Sequence, residues 1–315
     1  MKLDLTTKKI LVTGGSGMLG KAIQSLLPSA IFASSVDGDL TNWEETCSLF
    51  KRHKPDVVIH LAARVGGVKA NLQNIGQFYY DNMRINTNVL EACRIFEVEK
   101  LLSTLSTCVY PDSASHPLKE EDIHNGEPHF SNYTYAYSKR MIDVQSRAYR
   151  QQYGCNFITA IPNNIFGIHD NFDLENSHVI PALIRKVYEA KNFDSEIVLW
   201  GDGTPLREFT YALDMAKTIL FLLVNYNSPE PINIGNTKEY SIKQLSEIIC
   251  KIYNYDGEIK WDTSAPRGQF RKPSCDSKLI SLGWNPQNYT DLERALIDVC
   301  NWFDENYYNA RGVKQ

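Results

Sequence analysis

Tyr135 and Lys139 are the residues whose types and spacing most directly suggest chemistry. Four positions apart on a helix, both side chains project from one face. A neighbouring ammonium lowers the pKa of a phenol and makes it a usable proton donor or acceptor near neutrality. Tyr133 and Tyr137 have no lysine at that spacing. Ser106 closes the run Leu101–Ser106, a predicted strand, and the carboxyl edge of such a strand is where open α/β sheets place ligands. Its hydroxyl can hold a substrate oxygen while Tyr135 exchanges a proton with it. Tyr-x-x-x-Lys alone is common by chance, and a surface tyrosine beside a solvated lysine is the plain alternative. The context upstream decides between them.

That context is Thr13-Gly14-Gly15-Ser16-Gly17-Met18-Leu19-Gly20. One glycine permits a tight turn, another lets the backbone approach a pyrophosphate, and the last lets a helix pack closely on a sheet. The helix N-terminus then offers unpaired N–H groups to phosphates, so Gly14, Ser16, Gly17, Met18 and Gly20 form a candidate dinucleotide site. An acidic residue ending the second strand would hold a ribose 2′-OH, and a basic one a 2′-phosphate. Ser34-Ser35-Val36 supplies neither, and Asp39-Leu40 is placed against the adenine. The turn locates a dinucleotide but leaves NADPH and NADH both open.

The elements that must position these residues alternate. Lys9–Thr13, Ile31–Ser34, Asp56–Ala62, Leu101–Ser106 and Phe157–Pro162 read as strands, and the third is almost wholly apolar, as a strand covered on both faces should be. Helices are predicted from Leu19 to Pro28, over Trp43–Lys51, around Asn86–Cys93 and from Tyr135 to Tyr153. The polar stretch Pro111–Thr134 reads as a loop. Such alternation implies right-handed βαβ units, hence an α/β fold with a Rossmann-type, doubly wound parallel sheet. Beyond about Gly167 the rhythm loosens: short strands at Ile197–Trp200 and Pro231–Ile234 alternate with helices at His178–Lys191, Leu213–Tyr226 and Ser241–Tyr253. The expected organisation is a dinucleotide-binding domain over residues 1–166, with 213–236 returning to it. A smaller C-terminal α/β substrate lobe takes 167–212 and 237–309, and 310–315 form a solvated tail.

A net charge of −4 gives no support to nucleic-acid binding, and no apolar run reaches the length of a membrane span. The short polar N-terminus leaves no room for a signal peptide. Seven scattered cysteines without a C-x-x-C pair argue for a reducing compartment and against disulfides or a zinc cluster. The expected location is the cytoplasm, with no metal.

Together, Gly14–Gly20, His60-Leu61-Ala62-Ala63, Ser106, Tyr135/Lys139 and Pro162-Asn163-Asn164-Ile165-Phe166-Gly167 make the chain resemble the extended short-chain dehydrogenase/reductase family, which acts chiefly on nucleotide-diphosphate sugars. The dehydratases of that family carry an Asp-Glu pair just after the Ser/Thr, where this chain has Cys108 and Val109. Asn176–Leu183 instead places His178 at the start of a helix. With Ala63-Arg64-Val65-Gly66-Gly67, His124-Asn125-Gly126 and Trp200–Phe209, the chain is similar to the branch that epimerises and reduces GDP-4-keto-6-deoxy-D-mannose.

That resemblance implies inversion at C3 and C5, then reduction at C4 by NADP(H), to give GDP-L-fucose. Cys108 is the implied base and His178 the implied acid, since a thiol of pKa about 8.5 can be lowered by its neighbours and imidazole can donate near pH 7. Ser106 and Tyr135 would stabilise the enolate, with Lys139 tuning the phenol. Implied cofactor contacts add Leu61, Ala62, Ala63, Asn163, Ile165 and His178 to the turn. Implied substrate contacts are Asn163, Lys186, Trp200, Arg207, Arg271 and Lys272. Lys186 stands where bacterial relatives carry arginine, so it meets a phosphate without a bidentate fork. A homodimer paired through the helices around Asn86–Phe96 and Tyr135 is also implied. Three alternatives remain open: a 4-epimerase that retains NAD, a 4-reductase that makes GDP-rhamnose without epimerisation, and a non-catalytic dinucleotide-binding sensor.

Overall fold

The computed structural model describes residues 3–67, 73–264 and 269–313. Its larger sheet is built from β1 (Ile10–Thr13), β2 (Ile31–Ala33), β3 (Val57–His60), β4 (Lys100–Thr104), β5 (Phe157–Pro162) and β9 (Ile232–Ile234). All pair in parallel, in the order β2-β1-β3-β4-β5-β9. The chain leaves β1 towards opposite edges at β2 and β3, which opens a crevice at the carboxyl ends of the strands.

Alternation along each strand sends neighbours to opposite faces. Ile10, Val12, Ile59 and Leu102 pack with Ile23 of α1 (Met18–Leu26) and with Met215, Ile219 and Leu222 of α6 (Ala212–Asn225). Leu11, Val58, Leu101 and Ile161 pack on the other face with Leu49 and Phe50 of α2 (Trp43–His53), Val89 and Leu90 of α3 (Ile75–Ile95), and Ile142 of α4 (Tyr133–Tyr153). Two covered faces explain the apolar runs seen in the sequence.

The second lobe has its own core. Phe166, Phe172, Phe209, Leu245 and Phe303 pack with the buried face of α5 (Val179–Phe193) against α7 (Ile242–Tyr253) and α9 (Leu292–Asn306). One small sheet joins β6 (Asn164–Phe166), β8 (Leu206–Tyr211) and β10 (Glu239–Ser241), and another pairs β7 (Ile197–Trp200) with β11 (Ile259–Asp262). No helix among the described residues is long and apolar enough to cross a membrane.

The structure corrects three expectations. β4 ends at Thr104, so Ser106 lies beyond the strand, capping a 3-10 turn over Thr107–Val109. The short helix α8 (Ser277–Ser281), expected in the substrate lobe, places Leu279 in the core of the large sheet, and Trp284 follows it there. The described end of the chain is docked rather than solvated. Ala310 is buried, the Arg311 carbonyl accepts Phe172 N–H at 2.7 Å, and the Gly312 carbonyl accepts Arg185 Nη1 at 2.9 Å.

Deleting residues 310–315 leaves the Phe172 N–H without its partner and removes one acceptor from Arg185. The deletion lowers the unfolding free energy by about 2–3 kcal/mol, read from the urea midpoint. An unchanged midpoint contradicts this account of the docked end.

Candidate active site

A cavity of about 1290 Å³ runs across the carboxyl edge of the large sheet and into the second lobe. A single drug-sized ligand occupies roughly 300–1,000 Å³, so this volume suits two molecules.

One arm is lined by Gly14, Ser16, Gly17, Met18 and Gly20 at the N-terminus of α1, by Asp39 and Leu40, and by Leu61, Ala62 and Ala63 beyond β3. Gly14 has φ +72°, and a Cβ there would stand 2.9 Å from the Ala62 nitrogen, so only glycine lets the turn close on the end of β3. Gly17 caps α1 without a side-chain hydrogen bond and no acid occupies the first turn, which leaves first-turn N–H groups for an anion. Ser34 and Ser35 line the far end, while Asp37 turns back to accept from Ser34 N and Oγ at 2.8 and 2.9 Å. These features fit a dinucleotide.

The middle of the cavity brings together Ser106, Cys108, Tyr135 and Lys139. Ser106 Oγ accepts Cys108 N–H at 3.3 Å. Lys139 is buried and donates to the Thr104 carbonyl at 2.8 Å. Its Nζ lies 5.9 Å from the centre of the Tyr135 ring. The structure reverses the expected direction of the phenol shift: burial and then the charge on Cys108 push the Tyr135 pKa up. The Lys139 ammonium, which donates to the Thr104 carbonyl, does not offset that burial. Burial lowers Lys139 to about 8, within reach of proton exchange at neutral pH. Cys108 is the one cysteine among the described residues that lines this cavity, and all seven are unpaired.

His178 caps α5 from the second lobe, exposed to the cavity yet enclosed by its walls. Those walls, and secondarily the Lys272 ammonium, lower its pKa. The imidazole is therefore more fully neutral near pH 7 than the expectation of a ready acid assumed.

The remaining sequence candidates divide. Ile165, Lys186, Trp200, Arg207 and Lys272 all line the cavity. Lys186 Nζ donates to the Val198 carbonyl at 2.5 Å, and burial lowers its pKa. Trp200 is 52% exposed, so its indole is not core. The Arg207 guanidinium is already engaged, donating to the carbonyls of Leu206, Gln269 and Phe270. Asn163 also lines the cavity, but its amide is tied into the protein: Thr210 Oγ1 donates to Oδ1 at 2.7 Å, and Nδ2 donates to Glu208 and the Asn236 carbonyl. Arg271 does not line it, because its guanidinium faces outward to Glu239, with Nε 2.9 Å from both oxygens. Lys272, its neighbour, lines the cavity instead.

Sequence reasoning missed Asn132, His129, Gln269, Asp170 and Arg311, all of which line the cavity. Asp170 is buried, which raises its carboxyl to about 7. Asn132 had a legible signal, since it precedes Tyr135 by three residues and so must stand at the mouth of the same helix.

Because the Lys272 charge disfavours the imidazolium form, Lys272→Met shifts the His178 titration upward, followed by NMR of 13C-labelled histidine in the ligand-free protein. A titration that stays in place or moves down shows that Lys272 does not act on His178.

Comparison with known proteins agrees with this geometry. The NAD dependent epimerase/dehydratase family matches residues 10–235. A GDP-L-fucose synthase of Dictyostelium discoideum is 42% identical over 318 residues, spanning 98% of this chain and 99% of the relative. The GDP-L-fucose synthase of Escherichia coli (strain K12) is 32% identical over 323 residues, spanning 98% of this chain and 100% of the relative. The crystal structure of a GDP-L-fucose synthetase from Naegleria fowleri bound to NADP superposes with a TM-score of 0.92 at 40% identity, over 99% of this chain and 96% of that one. The chain therefore belongs to the NAD dependent epimerase/dehydratase family and, within it, to the branch of the GDP-L-fucose synthases.

Proposed function

We propose that the chain converts GDP-4-keto-6-deoxy-D-mannose to GDP-L-fucose, inverting C3 and C5 and then reducing C4 with NADPH. The observation that carries this reading is that one cavity gathers Cys108 and His178 with Ser106, Tyr135 and Lys139. A plain reductase or a 4-epimerase uses the last three and has no use for the first two. A sensor needs none of the five.

The C4 ketone acidifies the hydrogens at C3 and C5. Cys108 takes the proton from C3 as a thiolate, and the electron pair of the broken C–H bond moves to the C4 oxygen as an enolate. Ser106 and Tyr135 donate hydrogen bonds to that oxygen. His178, in its protonated form, returns a proton to C3 from the opposite face; Cys108 then gives up its proton to water, His178 takes one from water, and the same exchange inverts C5. When bound, a reduced nicotinamide would supply the hydride for C4. Tyr135 gives the C4 oxygen its proton, and its raised pKa suits this role, because a phenol kept protonated is ready to donate. Lys139, lowered to about 8, can restore that proton.

The turn and the N-terminus of α1 would hold the cofactor. NADP is the dinucleotide in the Naegleria fowleri structure. The serines that close β2 are compatible with it, since Asp37 is turned away from the cavity. Lys186, Arg207 and Lys272 supply positive charge for the diphosphate of the sugar donor. Arg271 takes no part, because it is paired outside the cavity.

Exposed apolar side chains on α3 (Tyr79, Tyr80, Ile95) and α4 (Val144, Tyr153) support a homodimer through these two helices. Light scattering gives a mass twice the 35.9 kDa of the chain, and a monomer mass rejects the dimer.

With GDP-4-keto-6-deoxy-mannose, purified protein oxidises NADPH and NMR identifies GDP-L-fucose as the product; no oxidation with this ketone sinks the assignment. Cys108→Ser suppresses wash-in of solvent deuterium at C3 and C5 while some direct reduction survives. Tyr135→Phe lowers reduction by roughly 10²-fold or more, and a near-normal rate removes the phenol from the mechanism.

A further inference from the structure

Asn132 stands at the N-terminal boundary of α4, with φ −148° and ψ 22°, outside helical geometry. Asparagine is among the best helix caps, because its side-chain oxygen accepts a hydrogen bond from a first-turn N–H. Here the side chain makes no such bond. It turns into the cavity, and Nδ2 donates to Cys108 Sγ at 2.9 Å. The other end of the same amide, Oδ1, is buried and has no hydrogen-bond partner.

A buried acceptor without a donor is costly, so the amide is held on the sulfur at the expense of its own oxygen. A residue kept out of its ordinary capping role, with one end on the sulfur and the other unsatisfied, is placed for the reaction rather than for the helix.

We propose that Asn132 is a positioning residue of the epimerisation half of the reaction: its amide N–H fixes the Cys108 sulfur and favours the thiolate. The inference rests on the reading of Cys108 as the base. An N–H donor at sulfur favours S⁻ over SH, because the anion accepts the stronger hydrogen bond. It also holds the thiolate in one rotamer, aimed at the carbon whose proton it takes. Asn132 is linked to Cys108 and not to Tyr135 or Lys139, so its loss should affect proton exchange at C3 and C5 before it affects hydride transfer.

Two variants and two readouts test this. Deuterium wash-in at C3 and C5 is followed by NMR with GDP-4-keto-6-deoxy-mannose in D2O, without reduced cofactor. Separately, and without substrate, the rate of Cys108 alkylation by iodoacetamide at pH 7 is followed by mass spectrometry of its peptide. NADPH affinity, read by fluorescence titration, stays at the wild-type level in both variants and shows that they are folded. Asn132→Ala lowers wash-in and alkylation about tenfold, the loss expected of one hydrogen bond to an ionised group. Asn132→Asp, isosteric but without a donor and adding a negative charge, lowers both further. Wild-type rates in the Ala variant overturn the proposal. Wild-type rates in the Asp variant also overturn it, since the sulfur would then need no donor. A wild-type protein that exchanges no deuterium sinks the epimerase reading instead, and the alkylation rates still decide whether Asn132 governs the thiol.

Discussion

The site depends on one buried ammonium. Lys139 donates to the Thr104 carbonyl at the last position of β4, and that bond clips α4 to the carboxyl edge of the sheet. Tyr135 lies one turn earlier on the same helix, while Ser106 and Cys108 lie two and four residues past Thr104. Fixing one pair of backbone and side-chain atoms therefore sets phenol, hydroxyl and thiol around a common space. Arg140, the next residue along, holds the other side of that space: it donates to the carbonyls of Val109 and Gly126, each at 2.7 Å, and anchors the long loop that precedes α4. Two neighbouring cations thus point to opposite ends of the polar segment between β4 and α4. Each is buried and each takes its partners from the backbone.

A second buried chain supports the same helix from below. Thr13 Oγ1 lies 2.8 Å from His60 Nδ1, His60 Nε2 lies 3.2 Å from Asn86 Oδ1, and Asn86 Nδ2 donates to the Ser138 carbonyl at 3.1 Å. The strand that ends in the glycine turn is thereby linked through β3 and α3 to the residue preceding Lys139. Burial, and then the nearby Lys139 charge, lower His60 to about 3, so the ring is neutral throughout the working range. Since its folded pKa lies below the unfolded value of about 6.5, the unfolded chain binds more protons between these two values. The contribution of His60 to stability is full above about 6.5 and is lost as pH falls towards 3. The two basic side chains coexist because both are held towards their neutral forms.

Much of this was legible in the chain. Strands covered on both faces have to be apolar, so β1, β3, β4 and β5 could be read from composition alone, and the spacing of Tyr135 and Lys139 placed both on one helical face. The direction of the lysine was not legible. Spacing fixes the face of a helix but not the acceptor that a long side chain finds, and here a backbone carbonyl wins over the phenol. β6, β8 and β10 were missed because β8 buries Glu208 and Thr210, whose partners Ser274 and Asn163 lie far off in sequence. No local pattern announces a strand that is polar on its buried side. The docking of Ala310–Gly312 and the outward turn of Arg271 belong to the same class: each is decided by a tertiary partner, Phe172 or Glu239, and by nothing within reach along the chain.

The seam between the lobes is where the proposed reaction finds both of its walls. Inverting a ring carbon requires a proton to leave by one face and another to arrive by the opposite face, so base and acid must stand on facing walls. A single sheet edge presents its groups from one side. Cys108 comes from the edge of the large sheet, and His178 from the cap of a helix whose core belongs to the second lobe. In the proposed reaction the two lobes supply these two walls, with the ring between them. Hydride transfer and proton donation at C4 need only the first wall, in keeping with the proposed reductive residues, which are all at the edge of the large sheet or on α4. The division of the chain into two cores thus corresponds to the division of the proposed chemistry, with reduction built on one lobe and inversion possible only between both.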